Sequence, residues 1–260
     1  MALFLHFNAY LCTIFPHFAM LTKSKAIVIH TIKYGDNKMI VDMFTRVNGR
    51  VAFVVGIPKS AKAKLQKQLF QPLTLLDLEY DFRSRLQLQK LRDAAIIHPY
   101  SSLVIEPDKI TVGMFLSEFL CHALYGEQTN EQLFDYVADS LMWLDDSPKS
   151  SANFHLVFMM RLTRFLGFYP YTDGYVEGCV FDLRSGSFSI TVPSHRDYLD
   201  SAESSLISLM MRMNYPTMHL FRMSRQQRNR LLDIIIQYYR LHLPAFPEMK
   251  SLDVLRYIYK

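Results

Sequence analysis

Residues 38–76 read KMIVDMFTRVNGRVAFVVGIPKSAKAKLQKQLFQPLTLL. Two runs within it, KMIVDMFTRV and RVAFVVGI, alternate at the period of a half-buried strand. Asn48-Gly49 joins them, and because both residue types tolerate positive φ the pair is expected to form a two-residue hairpin turn. Pro58 closes the second run, a lysine-bearing loop follows, and Gln71-Pro72 opens a third apolar run. Short strands framing a basic loop are what a small barrel needs to hold a phosphate backbone. These residues therefore point to nucleic-acid binding and away from catalysis.

Outward from that stretch the strand pattern continues. KAIVIHTIKY (25–34) alternates and stops at Gly35-Asp36-Asn37. PLTLLDLEYDF (72–82) places Leu76, Leu78 and Tyr80 on one face, and Arg83-Ser84-Arg85 turns into LQLQKLRDAAII (86–97). Five short antiparallel strands in about 80 residues predict a partly open Greek-key barrel of the OB type over residues 21–100.

From Pro107 the period is helical. A helix over 108–125 should turn Ile110, Met114, Phe115, Phe119 and Leu120 to one face and stop at Gly126. Asn130 starts the next, with Leu133, Phe134, Val137 and Leu141 inward; Asp145-Asp146-Ser147-Pro148 ends it, and the paired acids read as a solvated turn. Residues 151–168 are apolar nearly all round, as expected of a bundle centre, so His155 there reads as a core residue. CVFDLRSGSFSITV (179–192) reads as a hairpin about Ser185-Gly186, and 202–213, 224–243 and 252–259 as further helices, with Ser224 and Gln227 at capping-box spacing. The expected fold class is α+β and multidomain: an N-terminal OB-fold barrel, then a mainly helical domain over 101–260 with a β-hairpin insert near 171–192.

Half of the 260 residues are apolar, so the chain has ample core, and its three cysteines (Cys12, Cys121, Cys179) are too scattered for a disulfide framework. That usage fits a reducing cytosol. The net charge of +5 is unevenly spread. Residues 20–93 carry 14 Lys/Arg against 6 Asp/Glu, residues 1–19 none, and the remainder 15 against 18. Segregated basic charge implies a polyanionic partner for the barrel. Residues 1–19, MALFLHFNAYLCTIFPHFA, form an apolar extension lacking the features of a signal peptide or a membrane span. They read either as a natural extension or as lying upstream of a functional start at Met20.

The candidate phosphate contacts are Lys59, Lys62, Lys64 and Lys67 in the loop, joined by Arg50, Arg83, Arg85, Lys90 and Arg92 on the strands and their turns. Lysines act as point charges without base readout, so binding should be sequence-tolerant and salt-sensitive. Phe44, Phe53, Tyr80 and Phe82 are the barrel's candidate aromatics for base stacking; packing is the commoner fate of each, and Tyr80 and Phe82 are the favoured pair. Arg222, Arg225, Arg228 and Arg230 gather at a helix start, where cations oppose the helix dipole; pairing with neighbouring acids is the plainer account and a second DNA or partner surface the other. No Walker-type glycine loop, GxSxG or HExxH motif is present, so an enzyme is not expected.

The order of KAIVIHTIKYGDNKMIVDMFTRVNGR, GIPKSAKAK, LFQPLTLLDLE, LTRFLGFYP and YYRLHLPAFPEMKSLDVL resembles the RecO family of bacterial recombination mediators over essentially 21–260. The resemblance implies an OB domain followed by a helical domain. It further implies binding of single- and double-stranded DNA, annealing of complementary strands, and loading of recombinase onto strands coated by single-strand-binding protein, together with RecR. It places the protein in the cytoplasm, at the nucleoid. A groove between the Met- and Phe-rich helices would take the acidic, Phe-ended tail of single-strand-binding protein, with Arg161 and Arg164 meeting its carboxylates. Many members carry a four-cysteine zinc module after the LGF-Pro segment; here DGYVEGCVFDLRSGSFS holds Cys179 alone, so neither zinc nor another cofactor is expected. Two other classes stay open: an interaction adaptor using the barrel as a protein platform, and a metal-dependent nuclease.

Overall fold

The computed structural model describes residues 20–57, 65–147, 152–244 and 246–258. Its first strand, β1 (Met20–Tyr34), serves two neighbours. Residues 20–27 pair antiparallel with β4 (Leu75–Phe82), and residues 26–34 with β2 (Lys38–Thr45). A register shift between Val28 and His30 bends the strand where it changes partner. It begins five residues before the alternation in the sequence because Thr22 and Ser24 take inward positions there, their hydroxyls donating to the carbonyls of Met20 and Lys25.

β3 (Gly49–Gly56) pairs antiparallel with β2, β5 (Leu88–Ile96) pairs antiparallel with β4, and Ala52–Val54 pairs in parallel with Leu88–Lys90. The result is a closed barrel in the order β1-β2-β3-β5-β4, the OB arrangement. Alternation decides its inside: Val28, Met39, Val41, Met43, Val51, Phe53, Val55, Leu76, Leu78 and Tyr80 form one buried cluster. A single 3-10 turn, Lys67–Phe70, adds Phe70 to that cluster and is tied to β1 by Thr31 Oγ1 donating to the Phe70 carbonyl at 2.9 Å.

The hairpin between β2 and β3 differs from expectation. Thr45 and Gly49 are paired, leaving residues 46–48 as a three-residue loop, and of Asn48 and Gly49 only Gly49 has positive φ (65°). Asn48 is there for its side chain, whose Oδ1 accepts from the buried Tyr80 hydroxyl while its N–H donates to Thr45 Oγ1. Before β4, the Thr74 N–H donates to the Gln71 carbonyl around Pro72-Leu73, and Leu73 holds φ +67° where glycine is usual. Leu73 is nonetheless 3% exposed, so its burial offsets the left-handed strain.

The second compact unit begins at His98. Its helices are α1 (Pro107–Ala123), α2 (Glu131–Asp146), α3 (Phe154–Leu162), α4 (Ser201–Met211), α5 (Arg225–His242) and α6 (Ser251–Ile258). Asn130 caps α2, and Ser224 with Gln227 forms the capping box of α5. On α1 the buried side is Val112, Phe115, Leu116, Phe119 and Leu120, whereas Ile110 and Met114, expected inward, are exposed. α3 is shorter than expected, its end passing into turns at Thr163–Gly167, but its residues are buried nearly all round. Burial, with Arg228 nearby, lowers the His155 pKa to about 3, so the ring is neutral at pH 7. β6 (Val180–Asp182) and β7 (Ser187–Ser189) form the expected hairpin, and β8 (Tyr198–Leu199) adds a third strand the short run did not reveal.

Asp145 corrects the reading of a solvated turn: it is 3% exposed. Its carboxylate accepts from the N–H groups of Ser101, Ser102 and Leu103 at 2.6–3.1 Å, while the buried Lys109 donates to the carbonyls of Asp145 and Ser147 at 3.0 and 2.8 Å. Burial alone would raise the Asp145 pKa; those backbone donors outweigh it and hold the group well below the usual carboxylate range.

Two stability outcomes follow from this packing. Leu73→Gly is expected to cost less than Leu73→Ala, by about 1 kcal/mol in denaturant unfolding, because alanine loses the burial and keeps the strain. For Asp145, the folded pKa lies below the unfolded value of about 3.9, so its stabilisation is complete above that value and is lost as pH falls through the folded pKa. Asp145→Asn should therefore cost about 3 kcal/mol at pH 7, with the gap to wild type closing below about pH 4 in acid unfolding curves.

Candidate nucleic-acid interface

Strand alternation that buries one side of the barrel leaves the other as a working surface. On β2, β3 and β5 the outward positions are Ile40 and Asp42, then Arg50, Ala52 and Val54, then Leu88 and Lys90. The β4–β5 loop carries Arg83 and Arg85. Its shape is set by Gln89, which is buried and whose amide donates to the carbonyls of Arg83 and Leu86 at 2.9 and 2.6 Å while accepting from the Arg83 N–H at 2.9 Å. One inward glutamine thus fixes the loop that presents two arginines. The sequence offered no signal for it beyond a polar residue at an apolar position.

The candidate cations separate into two groups. Lys67, Arg83, Arg85 and Lys90 are exposed and make no ion pair among the described residues. Arg50 and Arg92 are held by acids. Arg50 donates from Nε and Nη2 to Asp42 Oδ2 at 2.9 and 2.5 Å, with both side chains mostly buried, and Arg92 Nη2 lies 2.7 Å from Asp81. Lys59, Lys62 and Lys64 fall outside the described residues.

The stacking candidates are corrected. Phe44, Phe53 and Tyr80 are fully buried, and Phe82 packs partly buried against the barrel core. Phe53 and Tyr80 meet edge to face at 5.0 Å, and Phe82 meets Tyr80 at 6.3 Å, so the fully buried rings hold the barrel together and offer no face to a base. The exposed aromatic of these strands is Tyr34, which the sequence reading left out.

In the helical unit, Arg161 is exposed and its Nη2 donates to the Met213 carbonyl at 3.2 Å, while Arg164 lies 5.8 Å from the Tyr169 ring centroid. Phe158, Met159, Met160, Met210 and Met213 are buried core. Of the second arginine cluster, Arg230 pairs with Glu203 at 2.5 Å, Arg225 donates to the Arg256 carbonyl, and Arg228 donates to Asn153 and to the Met223 carbonyl. Neighbouring groups on the protein thus meet three of its four arginines.

Cys179 is buried at the foot of β6, and its segment contains no second thiolate to help close a zinc tetrahedron. The hairpin is fixed by aromatic contacts: Tyr238 donates to the Phe168 carbonyl at 2.8 Å, and His242 stacks on Phe168 with its Nε2 2.9 Å from the Leu183 carbonyl. Gly186 lies against Tyr238 so closely that a Cβ would come 2.4 Å from its hydroxyl. Among the described residues, the group able to place three ligand atoms within 4.8 Å is His98, Asp145 and Asp146, and the Asp145 oxygens are already occupied by backbone donors.

A closed OB-type barrel with a rim of exposed cations, followed by a helical unit, is an architecture of the class that includes nucleic-acid-binding OB-fold proteins. The family models for Recombination protein O N terminal and Recombination protein O C terminal match residues 20–100 and 106–252. The chain belongs to the RecO family. It is 48% identical over 240 residues to the DNA repair protein RecO of Phocaeicola vulgatus, spanning 92% of this chain and all of that protein. The Bacteroides fragilis and Christiangramia forsetii proteins of the same name are 46% and 35% identical, with the same coverage. No helix among the described residues is long and apolar enough to cross a membrane.

The partly buried Arg50–Asp42 pair should show a coupling of about 1 kcal/mol in a double-mutant cycle read by unfolding. The exposed Lys23–Glu79 pair, at 2.5 Å, should show a smaller one despite its equally short distance.

Proposed function

We propose that the barrel binds single- and double-stranded DNA through sequence-tolerant phosphate contacts and brings complementary strands together to anneal. With RecR, the protein then helps load recombinase onto DNA coated by single-strand-binding protein. The observation that carries this reading is the set of exposed cations with no ion pair among the described residues, Lys67, Arg83, Arg85 and Lys90, on one small barrel in a chain of this family. Lys59, Lys62 and Lys64 extend the same charge in the sequence. Arg50 and Arg92, already neutralised by Asp42 and Asp81, contribute less to phosphate binding than the other four.

No bond is made or broken by the protein in this mechanism. Cations lower the repulsion between two phosphate backbones, and pairing of the bases supplies the free energy of annealing. The helical unit would recruit partners, with the exposed Arg161 and Arg164 as the residues to meet the carboxylates of the single-strand-binding protein tail. The nuclease reading would need carboxylates converging on a metal. The acids on the barrel face, Asp77, Glu79 and Asp93, line a shallow groove with Lys23, and Glu79 is paired with that lysine.

Mixing complementary labelled oligonucleotides with the protein and Mg²⁺ separates the readings: annealing is expected, cleavage would indicate a nuclease, and neither would indicate an adaptor. Replacing Lys67, Arg83, Arg85 and Lys90 by Ala should weaken duplex binding and reduce the slope of log K against log salt by about 3 to 4. An unchanged slope would remove these residues from the interface. Arg50→Ala should change the slope by much less than Lys90→Ala.

A further inference from the structure

The outer face of the barrel carries an apolar strip beside Lys90 that the phosphate contacts do not use. In the strand register Tyr34 pairs with Lys38, and Lys38 pairs with Gly56, so one cross-strand row holds an aromatic ring, a cation and a position with no side chain. A Cβ added at Gly56 would meet nothing within 4 Å, so the space over that position is open. Tyr34 is 52% exposed although it ends a strand whose middle is wholly buried. The adjacent row is Ile32, Ile40, Val54 and Lys90, also in register, which gives an aliphatic floor ending in a second cation. Ile32 is 47% exposed, and Ile40 and Val54 are half-buried.

Charge on this face favours a polyanion. Lys38 and Lys90 stand at its two sides; Asp42 is paired with Arg50, Asp81 beside Lys90 is paired with Arg92, and Asp36 lies in the turn. Exposed apolar and aromatic surface flanked by cations has the two chemistries of an unpaired nucleotide, a flat apolar base and a charged phosphate. A duplex could use only the second, because its bases are already stacked on one another.

We infer that Tyr34 is the base-stacking residue of this barrel: an unpaired base lies on its ring above the open Gly56 position, Lys38 takes the neighbouring phosphate, and the strand continues over Ile32, Ile40 and Val54 toward Lys90. This rests on the reading of the barrel as a DNA-binding surface and adds to it a means of distinguishing single strands from duplex. The buried rings of Phe53 and Tyr80 cannot take this role. Because the contact is to a ring face and to aliphatic carbons, it carries no preference among the bases.

The test measures binding of the full chain, by fluorescence anisotropy over a range of salt, to a thymidine oligonucleotide, an abasic strand of equal length and a duplex. Tyr34→Ala should weaken thymidine-strand binding about ten-fold and Tyr34→Phe should restore it, with the salt slope unchanged. Binding of the abasic strand and the duplex should stay within about two-fold. Lys38→Ala should instead lower the slope by about one on all three. Tyr34 is exposed beside a turn, so these variants should fold, and far-UV circular dichroism checks it. If the wild type binds the thymidine strand in a salt-dependent way and Tyr34→Ala leaves that unchanged, the stacking role is overturned while DNA binding stands. Equal weakening on the abasic strand also overturns it, since no base is there to stack. If the wild type binds none of the three, DNA binding by the barrel and the stacking role fail together.

Discussion

Closure of the barrel rests on three residue pairs. Ala52, Phe53 and Val54 of β3 run parallel to Leu88, Gln89 and Lys90 of β5, the one parallel pairing in a barrel that is otherwise antiparallel. Without it the two strands would present unpaired backbone edges, which are costly when buried and open to association when exposed. Closure also fixes which way every side chain points. Phe53, Leu91 and Tyr80 turn inward, and Val54 and Lys90 turn out side by side. Gln89 sits within this pairing, and its amide shapes the loop bearing Arg83 and Arg85. The cation rim is therefore a consequence of the closure.

The outer surface divides its charges by burial. Where an arginine and an acid share a partly buried site, as Arg50 and Asp42 do, the pair is retained for the fold and little charge is left for a ligand. Where the cation projects into water and makes no ion pair among the described residues, as for Lys90 and Lys67, its field is available to a phosphate. The same logic applies in the helical unit: Arg230 meets Glu203, Arg225 donates to the Arg256 carbonyl and Arg228 to Asn153, so a cluster conspicuous in the sequence is largely engaged by neighbouring groups.

The hairpin insert shows how one structural job can be done by different chemistry. A short sheet with few buried residues needs an external anchor. Here α5 provides it through Tyr238 and His242, which reach Phe168 and Leu183, and Gly186 lets the turn approach Tyr238 closely. Cys179 contributes to this packing as a small buried residue.

The sequence by itself determined the α+β class, the five barrel strands, the hairpin about Gly186 and the excess of positive charge on the barrel. Period, turn residues and local composition carry those features, and all three are local. It left open whatever depended on which groups meet across space. Tyr80 and Asn48 lie 32 positions apart, yet their contact puts the ring in the core and gives the asparagine its reason. Asp145 looked like a solvated acid because its backbone donors lie more than forty residues earlier in the chain. Arg50 and Lys90 are both cations on strands, and only the tertiary arrangement sets Asp42 against the first and leaves the second exposed. Tyr34 passed unnoticed for a related reason: its exposure follows from strand register and from an absent side chain at Gly56, neither of which alternation can express.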